Sequence, residues 1–257
     1  SVGVGVSVGV GVSLGVGGAE ISDGDAQDPA ISADGTVVAF ASHASDVVVG
    51  DANHTNDVFV HDRATGVTSR VSVASDGTEA DLWSLDPALS ADGRFVAFWS
   101  GASNLVAGDT NGSFDVFVHD RSTGVTSRAS VASGGAQADG YSARPAISAD
   151  GRFVTFDSGA PNLVAGDTNG ATDVFVHDRA TGVTSRVSVA SDGAQADGGG
   201  FNPTISADGR HIAFGSHSTD LVPGDTNGAG DVFVHDRSTG ATTRVSVASG
   251  GIQAGGS

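Results

Sequence analysis

The 257-residue sequence contains no cysteine, no methionine and no lysine. Without cysteine, neither disulfide bonds nor thiolate metal sites can hold the fold. All twelve basic residues are arginine, and with 30 acidic residues they give a formal net charge of −18 at pH 7. Because such an acidic surface repels nucleic-acid phosphates and anionic lipids, we predict no nucleic-acid partner and no membrane insertion.

Long uninterrupted hydrophobic runs are also missing. The most apolar stretch is SVGVGVSVGVGVSLGVGG at residues 1–18, and glycine interrupts it at nearly every second position. This spacing argues against a transmembrane helix. Since neither an initiator methionine nor a basic region precedes the first valines, we expect a processed chain that is secreted to the cell surface or the extracellular space.

The strongest positive signal is internal repetition. Four prolines, Pro29, Pro87, Pro145 and Pro203, follow one another at intervals of 58 residues. Repetition at a fixed period indicates stacked copies of one structural unit. We therefore divide the chain into an N-terminal assembly strand, a linker and a domain of four repeats, which cover residues 1–18, 19–25, 26–83, 84–141, 142–199 and 200–257.

Each repeat has the pattern of four β-strands and no convincing helical period. In the third copy the strands are PAIS, RFVTFDS, DVFVHD and TSRVSVAS, separated by turns such as ADG and RATG. The run SADGRFVTFDS resembles the WD40-like PD40 repeat of TolB-type bacterial β-propellers, and the repeats make up about nine tenths of the chain. The resemblance implies an all-β propeller with four blades of four antiparallel strands. It departs from the family in having four long repeats where six shorter ones are usual.

A loop rich in oxygen-bearing side chains lies between the second and third strands of each repeat. Its sequences are GDANHTND, GDTNGSFD, GDTNGATD and GDTNGAGD. Calcium prefers six to eight oxygen ligands, so carboxylates and amides at alternate positions suit it. The predicted ligands, one set in each repeat, are Asp51, Asn53, Asp57, Asp109, Asn111, Asp115, Asp167, Asn169, Asp173, Asp225, Asn227 and Asp231.

The same loops have a metal-free interpretation. Aspartate and asparagine cap tight turns through their own backbone hydrogen bonds, and glycine supplies the positive φ that such turns need. In addition, Asn53 and Asn111 lie in N-x-S/T sequons, where an attached glycan would compete with a metal ion. The sequence leaves both interpretations open, with calcium preferred.

Three further residues recur in every copy. The histidine of VFVHDR, such as His61, is expected to pack beside its hairpin, because histidines repeated in separate blades lie too far apart to share one metal ion unless they face the propeller axis. The aspartate that follows it, such as Asp62, is expected to cap the next turn. We expect the arginines of TSRVSV, Arg70 and Arg186 among them, to form exposed ion pairs worth about 0.2 to 1 kcal/mol each.

Residues that occur in one copy only are candidates for an asymmetric pocket. They stand on different strands and loops of the repeats, where surface drift explains them better than a binding site. They are Trp83, Trp99, Tyr141, Arg144, Asp157 and His211. No nucleophile, base and orienting residue stand out from their counterparts in the other repeats, so we predict no catalytic site.

The opening segment alternates strictly between aliphatic residues and glycine or serine. A period of two is the pattern of a β-strand with one apolar face. Sixteen strands already complete four blades, so this segment is a seventeenth strand, and an isolated apolar strand invites pairing with another chain. Its predicted assembly residues are Val2, Val4, Val6, Val8, Val10, Val12, Leu14 and Val16. The alternative is a flexible low-complexity linker.

These features together predict a structural protein. In the preferred interpretation, calcium-stabilised propellers polymerise into an extracellular filament, each donating its N-terminal strand to a neighbouring copy. In the alternative, a secreted monomeric propeller binds a glycan or a peptide through the residues that occur once. An enzyme is the least favoured class.

Overall fold

A computed structural model describes residues 23–249, 251 and 253, and within these residues the chain forms sixteen β-strands and no helix. Consecutive strands pair in four sheets of four, each in the order first, second, third, fourth. The four-blade, four-strand prediction is therefore confirmed. The N-terminal assembly strand and most of the linker lie outside the described residues.

Each repeat supplies one sheet. The strands of repeats 1 and 2 are β1 (Ala26–Ile31), β2 (Val37–Ser42), β3 (Asp57–Asp62), β4 (Val67–Arg70), β5 (Ser84–Leu89), β6 (Phe95–Ser100), β7 (Asp115–Asp120) and β8 (Val125–Arg128). Those of repeats 3 and 4 are β9 (Ser142–Ile147), β10 (Phe153–Ser158), β11 (Asp173–Asp178), β12 (Val183–Arg186), β13 (Phe201–Ile205), β14 (His211–Ser216), β15 (Asp231–Asp236) and β16 (Ala241–Arg244).

The turn between the first and second strands shows how the repeated sequence dictates its local structure. In repeat 3 the Ser148 hydroxyl donates to Asp150 Oδ1 at 2.6 Å, and the same oxygen accepts from the Arg152 backbone N at 3.0 Å. Gly151 has a φ of 72°, a value that glycine adopts at little cost. The sequence S-A-D-G-R therefore closes the hairpin with its own side chains.

The core of each sheet contains a pair of phenylalanines on its two central strands. Phe156 on β10 lies opposite Phe175 on β11, with ring centroids 6.0 Å apart, and both side chains are fully buried. Stacked aromatic pairs at this separation stabilise a core beyond their buried area. Phe98 with Phe117 and Phe214 with Phe233 repeat the arrangement at the same separation.

The fourth strand is shorter than the predicted TSRVSVAS. In repeat 3 it ends at Arg186, after which the backbone N of Val187 donates to the carbonyl of Val174 at 2.8 Å. The Ser188 hydroxyl then turns to Asp173, and Val189 forms an isolated bridge with Gln195. The chain leaves the strand because these side chains bind the oxygen-rich loop.

The chain divides into two compact units, which we describe separately. The first unit contains the residues up to 112 together with 117–128. The second unit contains residues 113–116 together with those from 129 onwards. Among the described residues, no helix is long and apolar enough to cross a membrane.

Candidate functional site

The predicted calcium loop of repeat 1 surrounds a buried arginine. Arg70 Nη2 lies 3.3 Å from Asp51 Oδ2, and Arg70 Nε lies 3.4 Å from Asp57 Oδ2. A third carboxylate, Glu79, accepts a hydrogen bond from Arg70 Nη1. The Arg70 side chain is only 8% exposed, so its positive charge is held among three acidic groups away from water.

The side-chain amide of the loop asparagine is used in hydrogen bonds and does not point an unbonded oxygen at a metal site. Asn53 Nδ2 donates to Asp57 Oδ2 and to the carbonyl of Ala80, both at 2.9 Å. Its Oδ1 accepts from the backbone N of Thr55 at 3.0 Å. Reversing the amide would place an oxygen against two other oxygens, so the hydrogen bonds fix this orientation. Asn53 therefore caps the turn, as the metal-free interpretation expected.

The other repeats place their arginines in the same way. Arg186 Nη1 lies 3.5 Å from both Asp167 and Asp173, and Arg244 Nη1 lies 3.4 Å from Asp225 and 3.5 Å from Asp231. The four arginines are buried and ion-paired, so the prediction of exposed pairs was wrong. Their side chains are 7–11% exposed: Arg70 8%, Arg128 7%, Arg186 10% and Arg244 11%.

Glu79 is a member of this cluster that the sequence analysis missed. Its counterparts in the other repeats are glutamines, and Gln195 Nε2 donates to Asp167 at 2.8 Å and to Asp173 at 3.1 Å. Repeat 1 therefore carries three carboxylates around one arginine, and repeat 3 carries two. The available signal was a Glu or Gln that recurs 28 residues after the first loop aspartate.

Burial determines the acidity of these carboxyl groups. Loss of water raises the pKa of Asp57 to about 6, although Ser72, Arg70 and Asn53 act in the opposite direction. Burial also raises the pKa of Asp51 and of Asp173. The Ser72 hydroxyl donates to Asp57 Oδ1 at 2.5 Å, which fixes the carboxylate where the loop meets β3.

This donor set fits a guanidinium group better than a calcium ion. A calcium ion would need several free oxygens, whereas arginine, serine and amide donors engage the carboxylate oxygens of repeat 1 except Asp51 Oδ1, which is buried without a hydrogen bond. Only in repeat 1 do carboxylate oxygens of three described residues, Asp51, Asp57 and Glu79, lie within 4.8 Å of one another. Calcium binding stays a prediction, and repeat 1 is the place where it is best supported.

In repeats 2 to 4, a second arginine–aspartate pair connects the start of the second strand to the end of the third strand. In repeat 3, Arg152 Nε and Nη2 donate to the two oxygens of Asp178 at 2.8 and 2.7 Å. The Asp178 Oδ1 also accepts from the backbone N of Ala180 at 3.0 Å, which confirms the predicted cap. The hydrogen bonds from Arg152 hold the pKa of Asp178 far below its ordinary value.

The repeated histidines pack beside their hairpins, as predicted. His177 Nδ1 lies 2.8 Å from the Thr184 hydroxyl on the adjacent strand, and His61 Nδ1 lies 2.9 Å from that of Thr68. Burial lowers the pKa of His177. The neutral ring that burial favours suits a structural contact with a hydroxyl group.

The residues that occur in one copy only are distributed over both units. In the first unit, Trp99 Nε1 donates to Asp86 Oδ2 at 2.6 Å, and Trp83 is 47% exposed. In the second, Arg144 Nη1 donates to the buried Asp157 at 2.9 Å. Tyr141 bonds with Thr172 through their hydroxyl groups, and His211 Nε2 lies 3.8 Å from Asp236. Neither unit by itself contains all six candidates.

The first strand of every repeat contains one non-glycine residue with positive φ. Positive φ costs such residues free energy, and they accumulate at functional positions. The residue at this position differs from repeat to repeat, and each lies at a shift in the register of the first two strands. The four residues are Asp28, Asp86, Arg144 and Asn202, with φ values of 53°, 48°, 52° and 52°.

Comparison with known proteins identifies the fold. A TolB from Acinetobacter baumannii superposes with a TM-score of 0.52 at 19% identity, over 88% of this chain and 45% of that one. A protein assigned as TolB from Agrobacterium tumefaciens gives 0.55 at 16% identity, over 89% and 69%. The fold is a TolB-type β-propeller.

The same fold occurs in enzymes. An oligogalacturonate lyase in complex with manganese superposes with a TM-score of 0.53 at 12% identity, over 87% of this chain and 54% of the lyase. No family model and no curated protein matches the sequence. At these identities the likeness extends to the fold alone, and this chain spans less than half of the Acinetobacter TolB.

Proposed function

We propose that this protein is a secreted structural subunit that polymerises by donating residues 1–18 to a neighbouring copy. The observation that supports the proposal is the strand count. Among the described residues, each of the four sheets has its four strands between β1 at Ala26 and β16 at Arg244, all of them outside residues 1–18. An alternating strand that its own sheets do not need is suited to strand addition on another chain.

The energetics of the segment agree with this role. Burial of seven or eight valine or leucine side chains contributes on the order of 10 kcal/mol at about 1.5 kcal/mol each, before the cost of ordering a glycine-rich chain. Donation from one copy to the next is a head-to-tail contact, and such contacts give filaments unless the rotation closes a ring.

Deletion and substitution of the segment test the proposal. We expect the chain lacking residues 1–18 to keep its far-ultraviolet circular dichroism but to form no filaments in negative-stain micrographs. The paired substitutions Val8→Asp and Val10→Asp should have the same effect because they charge the apolar face. Val8→Ile and Val10→Ile serve as matched controls and should polymerise. Filaments from the truncated chain would overturn the donor role.

A binding module is the second candidate function, and the variable position on the first strands favours it. Asp28 and Asp86 occupy this position in the first unit, where burial and the charge of Asp86 raise the pKa of Asp28. The candidate ligands are a glycan or a basic peptide that would contact this pair beside Trp99. Calorimetric titration of the truncated chain with such ligands tests it. Binding that survives Asp86→Asn together with Trp99→Leu would exclude this site.

A further inference from the structure

Neighbouring repeats pack through one recurring apolar interface. We call the side that a repeat presents to the next repeat its trailing face and the side that it presents to the previous repeat its leading face. In the second unit, the trailing face of repeat 3 packs on the leading face of repeat 4 in one buried cluster. The trailing residues are Val174, Val176 and Val187, and the leading residues are Phe214, Leu221 and Phe233.

The first unit contains the same interface between repeats 1 and 2. Its buried cluster joins the trailing and leading residues at equivalent positions, and every one of them is at most 2% exposed. The trailing residues are Val58, Val60 and Val71, and the leading residues are Phe98, Leu105 and Phe117. Two examples in one chain establish the interface as a property of the repeat.

Hydrogen bonds fix the register of this interface. In the second unit, the Thr242 hydroxyl on β16 donates to the carbonyl of Val189 at 2.6 Å, and the Thr242 backbone N donates to Ser191 Oγ at 2.9 Å. In the first unit, Thr126 makes the corresponding bonds to Val73 and Ser75 at 2.5 and 3.0 Å. The leading face thus contributes one threonine, and the trailing face contributes one carbonyl and one serine.

Repeat 4 presents a trailing face that remains accessible. Val232 and Val245, the counterparts of Val174 and Val187, are 44% and 48% exposed, whereas Val174 and Val187 are at most 1% exposed. Val247 is also 39% exposed. In the first unit the counterparts of Val232 and Val245 are Val58 and Val71, which are at most 2% exposed, whereas Val73, the counterpart of Val247, is partly buried. The face is therefore a preformed docking surface.

Repeat 1 presents the complementary leading face. Phe40, the counterpart of the fully buried Phe98 and Phe214, is only partly buried. Thr68 is half-buried, whereas its counterparts Thr126 and Thr242 are 5% and 4% exposed. Among the described residues, Phe40 and Thr68 of repeat 1 lack the covering that their counterparts in repeats 2 and 4 receive, whereas Val47 and Phe59 on the same face are at most 1% exposed.

We propose that the trailing face of repeat 4 binds the leading face of repeat 1 in a second copy of this chain. The partner is identified by continuity, because the contact repeats an interface that the chain already makes within each unit. Thr68 of the second copy would donate to the carbonyl of Val247 and pair with the hydroxyl of Ser249. This contact goes beyond the proposed function, since it uses no residue of the segment 1–18.

A pair of variants tests the two faces separately. Val245→Asp places a charge on the trailing face, and Thr68→Asp places one on the leading face. Val183→Asp is the matched control, because Val183 is 50% exposed at the start of β12, away from both faces. Multi-angle light scattering after gel filtration measures the mass of each, and circular dichroism verifies that each is folded.

We expect the wild type and Val183→Asp to associate with increasing concentration, and each face variant to associate at least tenfold more weakly. Because the contact joins two different faces, an equimolar mixture of Val245→Asp and Thr68→Asp should form a dimer that neither forms alone. A Val245→Asp chain that associates like the wild type would overturn the inference, as would a mixture that stays monomeric.

The chain without residues 1–18 separates this inference from the proposed function. Association that survives the truncation but is lost in Val245→Asp supports the face contact and contradicts strand donation. Association that is lost on truncation but survives Val245→Asp supports strand donation and overturns the face contact. A wild type that stays monomeric at every concentration contradicts both.

Discussion

A buried arginine in each repeat explains why the oxygen-rich loops are ordered. The guanidinium of Arg70 contacts Asp51 and Asp57 and also lies 5.8 Å from the centre of the Phe59 ring. Arginine suits such a site because its planar group stays charged and donates in several directions. The loop, the fourth strand and the core therefore meet at one side chain.

Removing such an arginine should cost more than removing an exposed one. Arg186→Met leaves Asp167 and Asp173 without their cation in a buried site, so we expect a loss of about 3 to 5 kcal/mol in the free energy of unfolding. Arg210→Met is the control, because Arg210 is 46% exposed and its pair with Asp236 stays in contact with water, where an ion pair adds little to stability. Urea unfolding measures both, and equal losses would contradict the structural role of Arg186.

The carboxyl group of Asp57 should make stability fall as the pH rises. Its pKa in the folded protein is about 6, above the ordinary value for aspartate, so the folded state holds its proton more tightly than the unfolded state. The stabilisation from Asp57 is fully present below about pH 4 and is lost at about pH 7. The free energy of unfolding should fall by about 2 to 3 kcal/mol over this range. Because Asp51 and Asp173 also have raised pKa values, we expect the free energy of unfolding of the wild type to fall relative to that of Asp57→Asn over this pH range.

Asp34 serves as a control because its contribution to stability should change with pH in the opposite direction. Hydrogen bonds from Thr36 and Ser32 lower its pKa to about 2, so its contribution is present above about pH 4 and is lost as the pH falls. The difference between the wild type and Asp34→Asn should therefore shrink towards acid pH. A difference between the wild type and Asp57→Asn that grew with rising pH would contradict the raised pKa.

Calcium binding is testable through the extra carboxylate of repeat 1. We expect added calcium to raise the melting midpoint of the wild type relative to EGTA, because a ligand specific to the folded state stabilises it. Glu79→Gln converts the cluster of repeat 1 to the composition of the other repeats and should abolish the response. An unchanged midpoint in the wild type would leave arginine as the cation of all four loops.

At the scale of strands and turns, the sequence predicted most of the fold. The alternation of valine and phenylalanine and the recurring Asp-Gly turn placed all four strands of a repeat. The end of the fourth strand at Arg186 was not predictable, because Val187 and Ser188 still carry a strand pattern but bond out of register with Val174 and Asp173 at the start of β11. The burial of the arginine was missed for the same reason, since its own position in the strand pattern gives no sign of the loop that surrounds it.

The glycine of the Asp-Gly turn serves the packing of neighbouring repeats as well as the turn itself. A Cβ atom on Gly209, whose φ is 71°, would lie 2.2 Å from Cδ2 of Phe153 in the preceding repeat. The Phe153 ring cannot easily move away, because the guanidinium carbons of Arg152 and Arg237 lie 4.7 and 4.2 Å from its centre. The turn thus joins two repeats.

Alanine substitution separates these two roles. Gly209→Ala should lose about 1 kcal/mol through its backbone conformation and about 1 to 3 kcal/mol more through overpacking against Phe153. Gly240→Ala has a similar φ of 74° with no atom within 4 Å, so it should lose only the first part. Equal losses in urea unfolding would show that Phe153 moves aside freely.

For the whole molecule, net charge and the exposed valines of repeat 4 act in opposite directions. A chain with a formal charge of −18 repels its own copies, whereas Val232 and Val245 gain by leaving water. At 0.1 M, salt screens the repulsion between exposed charges that are more than about 10 Å apart and leaves the apolar contribution in place. Association through the trailing face should therefore strengthen as salt is added.

Association also couples stability to protein concentration. A partner that binds only the folded state raises the free energy of unfolding, by about 2.7 kcal/mol when its concentration is a hundred times the dissociation constant. For a chain of this size, this corresponds to a rise of several degrees, at about 2 to 4 °C per kcal/mol. We expect calorimetry to show a melting midpoint that rises with concentration in the wild type and in Val183→Asp. In Val245→Asp the midpoint should rise less with concentration, because its folded copies no longer bind one another through that face, and a wild-type midpoint independent of concentration would contradict the contact.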